Sequence, residues 1–142
     1  MKTVSQILEG KGGDIAAVTP GSSVYDALQL MAEREVGAVL VLDDGRLAGI
    51  LSERDYARKV VLLGKASRET AVRDIMTPRV VCVSLDHTVD QCMALMTDKR
   101  VRHLPVLVDD RVVGVVSIGD VVKATIAEQR YIIEQLEHYI MS

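Results

Sequence analysis

The sequence predicts an α/β fold built from two copies of a β-α-β-β-α unit, followed by a helix that extends toward the C-terminal end. Three observations carry that expectation. A shift of 65 residues lays 15–58 onto 80–123 without a gap, and twelve of those 44 pairs are identical. Within each copy the apolar period changes from helical to strand-like and back again. Both copies also close on the same Gly-x-x-Ser-x-x-Asp turn, Gly49-Ile-Leu-Ser-Glu-Arg-Asp55 and Gly114-Val-Val-Ser-Ile-Gly-Asp120.

Ahead of the aligned block the register changes by three, so that Val4-Ser-Gln-Ile-Leu8 matches Val72-Arg-Asp-Ile-Met76, the extra length being a flexible Gly10-Lys-Gly-Gly13 segment. Each copy then opens with a short extended stretch, 15–18 or 80–83. A helix follows, started in the second copy by a capping box of Thr88 and Gln91, with Ser23 and Asp26 doing similar work in the first. Val24, Ala27, Leu28 and Met31, like Val89, Cys92, Met93 and Met96, recur at i, i+3, i+4 and i+7 and so mark the core face. The apolar run 36–42, the turn Asp43-Asp-Gly-Arg46 and the run 47–51 predict an antiparallel hairpin. Runs 104–108 and 112–116 repeat it around Asp109-Asp-Arg111.

Each copy closes with a helix beginning at Ser52 or Ser117. Two helices cover only one face of a three-stranded sheet, so the two units are expected to pack together. Residues 1–64 are thus the first repeat, 65–71 a polar linker, 72–127 the second repeat and 128–142 a helical extension. Val122, Ile126, Ile133, Leu136 and Ile140 fall near one stripe of the last helix, which either caps the module or meets a partner chain.

Composition removes several classes of function. Hydrophobic residues at 49% and charged residues at 26% suit a globular protein with a buried core. With no Phe, no Trp and four Tyr, the chain lacks the platforms that stack nucleobases. A net charge of -3 offers no basic footprint for nucleic acid or for an anionic membrane surface. No apolar stretch approaches the roughly 20 residues of a membrane-spanning helix. The N-terminal residues resemble neither a signal peptide nor an Arg-rich transit sequence, so a cytoplasmic location is expected. Cys82 and Cys92 read as buried free thiols, His87 and His138 as surface residues, and no metal-ligand spacing occurs.

The repeated turn has two readings. Serine at a helix start with a carboxylate three residues on is a capping arrangement. The same start also presents free amide groups that attract phosphate, and a carboxylate one turn in can accept both hydroxyls of a ribose. The second reading suits a nucleotide.

The hairpins Val39-Leu-Val-Leu42 and Leu104-Pro-Val-Leu107, the paired turns, and Asp74-Ile-Met-Thr-Pro78 together resemble CBS repeats, and the chain is similar to a tandem CBS pair, or Bateman module. The resemblance implies two repeats related by pseudo-twofold symmetry and a regulatory module that binds AMP, ADP or ATP, and sometimes NAD or S-adenosylmethionine, in clefts between them. AMP leads this list. It also implies a homodimer formed through the helices and an effector protein on another chain. Carried onto this sequence, Asp55 and Asp120 would hold ribose hydroxyls, with Ser52 and Ser117 near the ribose or phosphate. Arg102 and His103 would meet phosphate, Arg54 would stand beside the first turn, and the backbone at Ile15, Val18, Val80 and Val83 would flank adenine. The first copy has Gly37 and Ala38 where the second has Arg102 and His103, so two sites of unequal affinity are expected.

Two rival functions stand beside this one. An enzyme would need a base oriented against a nucleophile, and no spacing places one beside either serine. A docking module would leave its clefts empty and use the terminal helix as its contact.

Overall fold

A computed structural model describes residues 2–141, which form two compact units. One comprises 14–80 with 109–113, and the other 2–13 with 81–108 and 114–141. In space, therefore, the segment that precedes each repeat in sequence lies with the other repeat.

In the unit built on 14–80, β1 (Ala17–Val18) lies parallel to β2 (Ala38–Asp43), which pairs antiparallel with β3 (Arg46–Ser52) in the order β1-β2-β3. The hairpin turns tightly because Asp44 and Gly45 both take positive φ, 49° and 79°, leaving Asp43 opposite Arg46. Helix α1 is Val4–Lys11 and α2 is Val24–Arg34; α2 is capped by Ser23, whose hydroxyl accepts the Asp26 amide. The reciprocal bond of a full capping box is not formed there. Val24, Ala27 and Met31 pack on Val39, Val41 and Leu51, with Val72 and Ile75 completing the cluster.

The helix that begins at Ser52 is shorter than its counterpart at Ser117. It runs as α3 (Glu53–Tyr56) for one turn and then widens into a π-helical segment, Ala57–Val61. The segment 65–71 is packed as well as polar. The amide groups of Val24 and Tyr25 donate to the carbonyls of Thr70 and Ser67, and Arg68 stacks 4.3 Å over the Tyr25 ring. Beyond it, α4 (Val72–Ile75) leads to Thr77, which exchanges two backbone bonds with Ile50 of β3.

In the other unit, α5 (Val89–Lys99) starts at the expected capping box of Thr88 and Gln91. β4 (His103–Val108) and β5 (Arg111–Ser117) form a two-stranded sheet, joined by a turn in which Asp109 and Asp110 take the left-handed conformation. The extended stretch 80–83 contributes one parallel bridge, Val83 to Val106. Helix α1 belongs here: its Val4 and Ser5 amide groups donate to the carbonyls of His87 and Leu85, and Val4 and Ile7 are buried. It has its own capping box, Thr3 with Gln6, and it continues through Gly10 and Lys11, which are helical rather than part of a flexible segment. His87 is also more than a surface residue. Half-buried, its Nδ1 meets the Ser84 amide at 3.0 Å and the Ser84 hydroxyl at 2.8 Å, fixing the turn before α5. The unit ends in α6 (Ile118–Met141), a single 24-residue helix.

Candidate functional site

The glycine that opens each repeated turn has a steric reason to be there. A Cβ on Gly49 would stand 2.7 Å from the Met76 sulfur and 2.9 Å from the Thr77 carbonyl oxygen. On Gly114 it would stand 2.8 Å from Leu8 Cδ2. Leu8 and Met76 occupy matching positions in the two pre-repeat segments. Each strand thus needs a bare backbone so that a short helix can lie against it, immediately before the turn that carries Ser and Asp.

At the first turn, Ser52 caps α3 by accepting the Asp55 amide at 3.2 Å, and Asp55 Oδ2 returns the bond to the Ser52 amide at 3.0 Å and its hydroxyl at 3.1 Å. Asp55 Oδ1 meets Lys59 Nζ at 3.1 Å and the Thr77 hydroxyl at 3.4 Å. Lys59 donates in addition to the Ile75 carbonyl. Both carboxylate oxygens are therefore held by protein groups. Arg54 is exposed on the first helical turn, and Ile15, Val18 and Val80 are half-buried in the same unit.

At the second turn Ser117 and Asp120 exchange the same pair of bonds, at 2.8 and 3.2 Å. The cation differs. Lys11, from the end of α1, reaches Asp120 Oδ2 at 2.7 Å and the Val115 carbonyl at 2.9 Å. The bonds from Lys11 and from the Ser117 amide both fall on Oδ2, which leaves Oδ1 the less occupied oxygen. Burial pushes the Asp120 carboxyl up, but the Lys11 hydrogen bond, the Ser117 amide, the Lys11 charge and the Ser117 hydroxyl together outweigh it and hold the group below its ordinary 3.8.

Arg102 and His103 belong to this same unit. The Ile118 amide, first in α6, donates to the Arg102 carbonyl at 2.9 Å, which anchors the basic pair directly before β4 against the helix start. Gly37 makes the matching bond to Glu53 in the other unit, without a basic side chain. Arg102 is exposed and His103 half-buried. Val83 is buried, and its backbone is used in pairing: its amide donates to Pro105 and its carbonyl accepts from Leu107. The structure thus gathers Lys11, Arg102, His103, Ser117 and Asp120 in one unit.

Lys11, Lys59 and Thr77 are members of these turns that sequence reasoning did not single out. Lys59 could have been found, because it lies four residues after Asp55 on a predicted helix. Lys11 lies 109 residues from Asp120 and carries no local signal.

Cys82 and Cys92 form no disulfide, and burial pushes both thiols up, away from the thiolate a nucleophile requires. Among the described residues no helix is long and apolar enough to cross a membrane.

Two β-α-β-β-α repeats, each closing on a glycine, a capping serine and an acid, define a tandem CBS-type module. The CBS domain family matches residues 11–62 and 72–127, and the chain belongs to it. Among curated proteins it is 42% identical to the CBS domain-containing protein CBSX3, mitochondrial, of Arabidopsis thaliana, over 97% of this chain and 71% of that one. Among solved structures it is 51% identical to a proposed signal-transduction protein with CBS domains from Burkholderia ambifaria MC40-6, with a TM-score of 0.87 over 90% of this chain and 96% of that one. A CBS-domain containing protein of Agrobacterium tumefaciens follows at 41% identity and a TM-score of 0.84, over 87% of this chain and 99% of that one.

Proposed function

We propose that the protein is a regulatory module that binds adenosine-containing ligands and modulates an effector protein on another chain. AMP heads the ligand class, with ADP, ATP and NAD(H) sharing the same ribose and phosphate chemistry. The observation that carries this reading is the second turn: Asp120 keeps one carboxylate oxygen available for a ribose hydroxyl, beside Lys11 and within the unit that holds Arg102 and His103. With its pKa held at or below the ordinary carboxylate range, the group is ionised at neutral pH and its oxygens are acceptors only. Catalysis is not part of the reading. None of the three relatives bears an enzyme's name, and one is described by a role in signal transduction.

The first turn favours a second reading for its own site. With all its capacity taken by Ser52, Lys59 and Thr77, Asp55 acts there as a helix cap, and the turn needs no ligand to be satisfied.

Thermal denaturation with and without AMP tests the proposal. A ligand at about 100 times its dissociation constant stabilises a fold by roughly 2.7 kcal/mol, which is a readily measured rise in Tm. An unchanged Tm across AMP, ATP and NADH on nucleotide-free protein would favour a docking module. Release of phosphate or adenosine during the incubation would instead point to an enzyme.

A further inference from the structure

The two acids receive their cations from different places. Lys59 stands on the same helical run as Asp55 and pairs with it at 3.1 Å. The register that matches the two copies puts Ala124 at the place of Lys59, and Ala124 is buried and neutral. Asp120 is met instead by Lys11, the last residue of α1, whose Nζ lies 2.7 Å from Oδ2 and 2.9 Å from the Val115 carbonyl. The two ends of α1 are held unequally. Its first turn is fixed by the Val4 and Ser5 amides on the His87 and Leu85 carbonyls, with Val4 and Ile7 buried beneath it. Its last turn is exposed from Glu9 onward and is held by Leu8 against Gly114 and by Lys11. Gly12 and Gly13 follow, Gly12 at a positive φ of 89°.

We infer, resting on the reading of Asp120 as a ribose acceptor, that α1 is a ligand-operated latch: a ribose diol displaces Lys11 from Asp120, and the last turn of α1 loosens while its first turn stays docked. Each carboxylate oxygen has about two acceptor positions, and those of Oδ2 are used by the Ser117 amide and Lys11. One hydroxyl can settle on Oδ1 and leave both in place. A vicinal diol presents two donors side by side and matches both oxygens, so its second hydroxyl needs a position on Oδ2. The Ser117 amide cannot give way without opening the cap of α6, which it closes together with the Ser117 hydroxyl. Lys11 can, because its side chain is 37% exposed and its ammonium meets water on release. A ribose and a docked Lys11 therefore compete for one oxygen, and by linkage each weakens the other by the same factor. Occupancy of the turn becomes a freed lysine and a frayed helical turn on the surface, a change that another chain can read. Displacing Lys59 at the first turn would move no separate element, since it belongs to the helical run of Asp55 itself.

AMP and 2′-deoxy-AMP, which differ by the second hydroxyl, test the latch on the full chain by calorimetry and amide-resolved hydrogen exchange. The Gly12 amide, bonded to the Leu8 carbonyl at 2.7 Å, reports the last turn, and the Val4 and Ser5 amides report the first. Saturating AMP should speed exchange at Gly12 by roughly twofold to fivefold, the worth of a partly exposed ion pair, and leave Val4 and Ser5 unchanged. Saturating 2′-deoxy-AMP should leave all three unchanged. In Lys11→Met, Gly12 should exchange fast without ligand, and the preference for AMP over 2′-deoxy-AMP should rise by the same roughly twofold to fivefold. Taking that ratio cancels the lysine's attraction for the phosphate that both ligands carry. Binding heat from AMP with Gly12 exchange unchanged or slowed would overturn the latch and leave the ligand reading standing. An equal response to both ligands, or a preference that Lys11→Met leaves unchanged or lowers, would do the same. No heat from AMP would remove the ligand reading and the latch with it.

Discussion

The turns at Ser52–Asp55 and Ser117–Asp120 share one motif and one pair of capping bonds, yet they are finished differently. Asp55 is closed on both oxygens by residues of its own unit and opens a helix that lasts one turn before widening. Asp120 is closed on one oxygen, takes its cation from α1, and opens a helix of 24 residues. The difference teaches that one capping motif can be finished with different amounts of unused acceptor capacity. How each copy is finished is decided by residues outside the motif, as near as Lys59 and as distant as Lys11.

Five substitutions would break or sharpen this comparison. The largest effect is expected at the glycines. Gly49→Ala forces a Cβ against the Thr77 carbonyl, a backbone atom, and should cost about 1–3 kcal/mol in urea denaturation. Gly114→Ala meets only the tip of the Leu8 side chain, which can rotate away, and should cost less than about half of that. Equal losses would mean that α1 is held as rigidly as the segment 76–77.

Next in size, without ligand, is Asp55→Asn, which disturbs bonds to Ser52, Thr77 and Lys59 in a part-buried network and should lower stability by about 1–2 kcal/mol. Asp120→Asn touches fewer bonds; both lysines are more than a third exposed, 37% for Lys11 and 43% for Lys59, so solvent screening weakens either ion pair and the cost should stay within about 1 kcal/mol.

A smaller effect concerns pH. The folded-state pKa of Asp120 is depressed, so its contribution is present above the ordinary value near 3.8 and is lost as pH falls through the lower folded value. Lys11→Met removes the partner. The stability difference between wild type and Lys11→Met should therefore be visible at pH 7 and vanish as pH falls through the depressed folded-state pKa. A difference that persists in acid would assign the lysine's effect to its bond with the Val115 carbonyl.

The elements whose causes are local could be read from the sequence. Thr88 with Gln91, the two hairpin turns and the heptad-like stripe of the last helix all depend on residues within a few positions of one another. What could not be read depends on non-local pairing. The docking of α1 beside Gly114 and of Met76-Thr77 beside Gly49 has a faint trace, a bulky residue at the matched positions 8 and 76, but nothing in that pattern says which strand each will cover. The Lys11–Asp120 pair follows from that docking and was invisible for the same reason. The π-helical widening after Tyr56 had no signal either, since Ala57-Arg-Lys-Val-Val61 is compatible with an ordinary helix.

The central claim is that the half-open turn is the nucleotide site. Titration calorimetry with AMP, ATP, NADH and S-adenosylmethionine on nucleotide-free protein tests it most directly, using wild type, Asp120→Ala and Asp55→Ala. The account predicts binding heat with AMP that Asp120→Ala weakens by at least about tenfold, as expected for loss of a charged hydrogen-bond acceptor, while Asp55→Ala retains it. No heat with any of the four ligands, or a loss confined to Asp55→Ala, would contradict it.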